Sequence, residues 1–230
     1  MSISVSLTTF LLGLAVTGFA ANDLLILHCE SGGTLLKLQN NIGNDPFYGS
    51  VDYIDGSIAL VPLATLQNYD CVFTWNSSSY TSGQGDVLAD YVDSGGTAVI
   101  CGWAITQCYG RIIDDASYCP MIGGSNRYTS VNLGTTYTHN ILSGVSVISN
   151  IIFWVDASME SGAYLIAENS LGTPLAAINA GGTVVALNMV AGDYITWTGD
   201  GWVLMNNAIQ YLMVNAEMDA GTWGSIKSSF

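Results

Sequence analysis

The chain has 230 residues, half of them hydrophobic but only 10% charged, and four Lys and Arg against eighteen Asp and Glu give a formal net charge of −14. Ample apolar material excludes intrinsic disorder. Four scattered cations exclude a nucleic-acid-binding face and attraction to an anionic membrane surface.

Residues 1–20 contain no charged side chain. The apolar stretch Phe10 to Val16 leads to Gly18-Phe19-Ala20-Ala21, with small residues where a signal peptidase cleaving after Ala20 needs them. The stretch is shorter than the roughly 20 residues a membrane span requires. The expected organisation is a secretory signal over 1–20, a single domain over 21–215 and a tail over 216–230. The mature product is expected to be secreted and extracellular.

Leu24 to Cys29 is apolar at nearly every position and ends at Glu30-Ser31-Gly32-Gly33, the pattern of a parallel strand covered on both faces. A short helix is expected over 34–41, a second strand over 51–55, and a helical segment opening at Pro62. Residues 70–75 form the third expected strand, rich in β-branched and aromatic side chains. A helix over 84–94 turns Val87, Leu88, Tyr91 and Val92 inward, with Asp86, Asp90 and Asp93 together on the outer face. A fourth strand follows over 97–103. This alternation predicts βαβ units and a mostly parallel sheet in the order 2-1-3-4. The second half reads as strands at 131–133, 151–155, 163–167, 175–178 and 183–189 with Gly-containing connections, then a helix over 201–213.

Several segments then align in order: LLILHC, VPLATLQNYDCVFTWNSSS, GDVLADYVDSGGTAVICGW, YGR, HNILSGV and TVVALNM followed by TGDGWVLMNNAIQYL. Together, over residues 24–213, they resemble the class I glutamine amidotransferase-like superfamily, most closely its non-amidotransferase, extracellular, ThuA-like branch. The resemblance implies an α/β, flavodoxin-like three-layer sandwich with β-hairpins added in the second half.

In active amidotransferases the matching strand ends in a turn that carries a nucleophilic Cys, written G-I-C-x-G. Here the run is Val99-Ile100-Cys101-Gly102-Trp103, which places Cys101 near the nucleophile, with Trp103 where the pattern wants its last glycine. The partner His-x-Glu is missing from Leu187-Asn188-Met189-Val190. The expectation is therefore no catalytic residue. The alternative is a cysteine-dependent hydrolase that uses Cys101 with Glu30, which some relatives place after the first strand.

The remaining candidates have plain readings. His28 reads as a core imidazole and His139 as part of a structural turn. Arg111 is expected to pair with Asp114 or Asp115. With two histidines and no CxxC, no metal site or cofactor is expected. Asn76-Ser77-Ser78 is a glycosylation sequon. In an oxidising compartment Cys108 and Cys119, which flank the ten-residue loop 109–118, are expected to form a disulfide. Sparse charge and exposed hydroxyls, amides and aromatics point to a module that binds glycan or an extracellular protein, or that self-associates.

Overall fold

The structure is a computed structural model that describes residues 22–30, 35–192 and 195–227. The expected signal segment lies outside the described residues. Eight strands form the main sheet: β1 (Asp23–Cys29), β2 (Ser50–Asp55), β3 (Cys71–Asn76), β4 (Thr97–Gly102), β5 (Leu133–Thr136), β6 (Tyr164–Asn169), β7 (Pro174–Ile178) and β8 (Val184–Leu187). Their spatial order is β2-β1-β3-β4-β8-β7-β6-β5. The first five strands of that order are mutually parallel. The remaining three extend the sheet as antiparallel neighbours. This is the expected flavodoxin-like order with its added hairpins.

The apolar runs are explained by burial on both faces. Every residue of β3 and β4 is buried, as is β1 after Asp23. One face of the sheet carries Leu24, Ile26, Phe73 and Val99 against Leu38, Ile42 and the inner side of a long helix, through Leu204, Ala208 and Leu212. The other face carries Leu25, Leu27, Val72 and Ile100 against Leu66, Leu88, Tyr91 and Ile112. Each such aliphatic side chain contributes about 1.5–3 kcal/mol relative to exposure. The two layers make the sandwich.

The helices are α1 (Leu36–Leu38), α2 (Leu63–Leu66), α3 (Gln84–Asp93), α4 (Ala104–Gln107), α5 (Arg111–Asp114) and α6 (Gly201–Lys227). The helix expected over 34–41 is shorter and passes into a π-helical turn, Gln39–Gly43. The last helix runs to Lys227, through the segment that carried no helical signal. Three short two-stranded ladders close the second half, among them Asn126–Arg127 with Trp154–Val155.

Two expectations require correction here. Arg111 does not pair with Asp114 or Asp115. It reaches across from α5 to Asp86, Asp90 and Asp93 on the outer face of α3 and clasps the two helices. The carboxylates spaced along α3 thus collect the guanidinium, and Tyr118 Oη lies 2.8 Å from Asp93 Oδ1. The disulfide is not formed either. Cys108 and Cys119 are buried free thiols packed with Cys29 and Ile112 in the layer beneath β1 and β4. They act there as small apolar side chains.

Candidate functional site

The site sits where the chain changes direction in the sheet. From β1 the chain crosses to β2 on one side, and β3 returns on the other. Open α/β sheets bind ligands outside the carboxyl ends of strands at such a switch point. The strand ends that meet here are His28-Cys29 of β1, Trp75-Asn76 of β3 and Cys101-Gly102 of β4.

In-register pairing places Asp55, His28, Trp75, Cys101 and Leu187 in one row across the five parallel strands. This row faces the α6 side, where Trp75 and Cys101 join the core. Burial lowers the His28 pKa, and the Asp55 charge opposes that shift. Burial alone pushes the Cys101 thiol well up, away from the thiolate.

The turn after β4 has Gly102, one residue past Cys101, at its apex. Gly102, not Cys101, ends the strand in the left-handed region at φ +57, and α4 starts two residues later. The bend on which amidotransferases present their nucleophile is therefore built, with glycine at its apex. A Cβ there would stand 2.8 Å from Val190 Cγ1 and 3.0 Å from Val190 Cα. The apex slot is closed by the chain that follows β8.

Nor does the structure pair Cys101 with Glu30. Glu30 is buried at 4% exposure just beyond β1, while β3 with Trp75 stands between β1 and β4. Two inter-strand spacings put those strands about 10 Å apart. The segment where the resemblance wants a His-x-Glu does structural work. Asn188 Oδ1 accepts from Val155 N at 2.7 Å, and its Nδ2 donates to Val155 O at 2.7 Å and Pro174 O at 2.9 Å.

Asn76 is fully buried, with Nδ2 donating to Ser78 O and to Gln107 Oε1, both at 2.8 Å. That nitrogen is committed within the fold and has no room for a glycan, which corrects the sequon reading. His139 Nδ1 accepts from Ile141 N at 3.2 Å and its ring packs on Tyr211, a local turn-former as expected.

Sequence reasoning missed the aromatic side chains of this edge. Trp75 is covered by Gly192, whose φ is +89 and whose Cβ, if present, would lie 2.2 Å from the indole. Trp103, just past β4, packs edge-to-face with Tyr128 and Phe153, and those two rings pack on each other. A Trp closing each of two neighbouring apolar strands was the available signal.

No family model matches the chain, and no curated protein does. Solved structures do. A ThuA-like protein from Bacteroides uniformis has a TM-score of 0.63 at 16% identity, covering 85% of this chain and 95% of that one. A ThuA-like protein from Parabacteroides merdae has a TM-score of 0.55 at 12% identity over 85% and 91%. A GMP synthase-type protein from Thermoplasma acidophilum has a TM-score of 0.56 at 12% identity over 86% and 98%. At these identities the likeness establishes the fold: the chain has a glutamine amidotransferase-like, flavodoxin-like α/β fold, shared with ThuA-like proteins.

Proposed function

We propose that this chain is a non-catalytic binding module built on an amidotransferase-like fold, using the carboxyl edge of its sheet to hold a partner. The observation that carries this reading is the glycine at the apex of the turn after β4, with Val190 packed where a nucleophile's side chain would begin. Two further facts support it. Cys101 is fully buried with its ionisation suppressed, and Asn188 is spent on three structural hydrogen bonds. A nucleophile needs access, a base and oxyanion donors together.

The partner classes in this reading are a glycan, an extracellular protein or a second copy of the chain. Secretion belongs to the same proposal and is supported by the apolar stretch before Gly18 and Ala20; the mature protein recovered from the medium should begin at Ala21. The test of the non-catalytic reading is thiol chemistry. In the folded protein at neutral pH, Cys101 should react with iodoacetamide far more slowly than free cysteine, and Cys101→Ala should keep partner binding. Faster alkylation than free cysteine, slowed by Glu30→Gln, would replace this reading with the hydrolase.

A further inference from the structure

The two lateral edges of the main sheet differ. β5 closes one side with four residues, and a register shift interrupts its pairing with β6. Short strands and irregular pairing guard an edge against further strand addition. β2 closes the other side with six residues in unbroken parallel register with β1, and among the described residues no strand lies beyond it. Neither Pro nor Lys, which commonly protect an edge, stands on β2.

The ladder shows which backbone groups of β2 are open. Gly56 N donates to His28 O at 2.7 Å, and across β1 Ser77 N donates to Cys29 O at 2.9 Å. Even-numbered residues of β1 therefore turn to β2 and odd-numbered ones to β3. By the same alternation Ser50, Asp52 and Ile54 turn their N–H and C=O groups to β1, and Val51 and Tyr53 turn theirs to the open side.

An apolar groove runs beside this edge. Ile54, Ile58, Leu60, Val61 and Pro62 line a trough of about 450 Å³ between β2 and α2. Ile58 is 80% exposed and Leu60 44%. Asp52 and Ile54 share the groove face, in register with Leu25 and Leu27 of the layer beneath.

The charge along the edge has one sign. β2 carries Asp52 and Asp55, and Ser50 Oγ donates to Asp23 Oδ1 at 2.6 Å. No Lys or Arg occurs between Lys37 and Arg111. A second copy paired here through its own β2 would set carboxylates against carboxylates, between chains of formal charge −14 each. An acidic segment meets the same repulsion. A segment that carries Lys or Arg beside apolar residues meets complementary charge and the groove together.

We propose that the open edge of β2 takes up an extended, basic and apolar peptide segment of another protein as an added strand. Its main chain bonds to Val51 and Tyr53, its apolar side chains lie in the groove of Ile54, Ile58 and Leu60, and its Lys or Arg side chains reach Asp52 and Asp55. This surface is separate from the carboxyl edge of the sheet, and its test does not involve Cys101.

The experiment is calorimetric titration of the full chain with a capped peptide of about eight residues in which Val alternates with Lys. The controls are the same peptide with Glu for Lys and the same peptide with Pro at its central positions, where main-chain donors are lost. The Lys peptide should bind, more weakly as salt rises, and should slow hydrogen exchange at the amides of Val51 and Tyr53. The Glu and Pro peptides should not bind. Asp52→Lys should weaken binding about tenfold or more and Ile58→Ser about threefold or more. Both side chains are exposed, so these variants keep the fold. Asp114→Lys, the same charge change on α5, should leave binding within about twofold. The inference falls if the Lys peptide does not bind at about 1 mM, if the Glu or Pro peptide binds equally, if Asp114→Lys weakens binding as much as Asp52→Lys, or if exchange at Val51 and Tyr53 is unmoved. A dimer in sedimentation whose formation protects Val51 and Tyr53 overturns it as well and gives the edge to a second copy.

Discussion

The two ends of the parallel sheet are built differently. At the amino end polar groups close on one another. Asp23 N donates to Asp70 Oδ2 at 2.8 Å, Ser50 Oγ to Asp23 Oδ1 at 2.6 Å, Thr97 Oγ1 to Asp70 O at 2.9 Å and Tyr91 Oη to Tyr69 O at 2.8 Å. At the carboxyl end His28, Trp75, Asn76 and Trp103 each hold a buried atom without a partner. An unsatisfied buried group costs about 1–3 kcal/mol. Among the described residues Tyr53 Oη and Asn169 Nδ2 are also without a partner, but the cluster lies at the carboxyl end, the edge that the proposed reading assigns to binding.

The largest effect should come from breaking the carboxyl end at Gly192. Gly192→Val places a branched side chain into the Trp75 ring with the backbone at positive φ. Overpacking and backbone strain together should cost more than about 3 kcal/mol in urea denaturation. A loss below about 1 kcal/mol would mean that the indole can move aside.

Asn188→Ala comes next. It leaves Val155 N, Val155 O and Pro174 O without their side-chain partner. The expected loss is about 3 kcal/mol, accompanied by increased mobility of the Phe153–Val155 segment in hydrogen exchange. Protection unchanged at Val155 would show that the clamp is dispensable.

Two substitutions of middle size contrast the two ends of the sheet. Thr97→Val at the amino end removes one satisfied hydrogen bond from a buried side chain and should cost about 1 kcal/mol. His28→Leu at the carboxyl end removes an unsatisfied buried atom and should be neutral or stabilising. Equal losses would show that the two ends of the sheet are energetically alike.

The smallest effect is in pH. Burial holds the pKa of both His28 and His139 below the ordinary 6.5. The unfolded chain then binds more protons than the folded one just below that value, so stability should fall as pH drops through 6.5 and level off below the folded pKa. Above about pH 7 both states hold neutral imidazoles and the contribution is flat. His28→Leu should reduce the slope between about pH 7 and pH 5. An unchanged slope would assign the dependence to other groups.

The parallel core was legible in the amino-acid sequence. Largely apolar runs at 24–29, 70–75 and 97–103 suit strands covered on both faces, and the intervening helices impose right-handed crossovers. The single-faced amphipathicity of α3 was equally legible, because helical periodicity is local. Tertiary structure alone decided the rest. Arg111 finds Asp86, Asp90 and Asp93 because α5 lies across α3, and no local spacing encodes that crossing. The motif places Cys101 near a nucleophile position without the glycines or the His-x-Glu that a nucleophile would need. Which of two adjacent residues takes the positive φ at the end of β4 depends on where the chain after β8 packs, and Val190 gives that position to Gly102. The triad of Trp103, Tyr128 and Phe153 joins residues from separate parts of the chain, and their meeting is a property of the folded sheet edge.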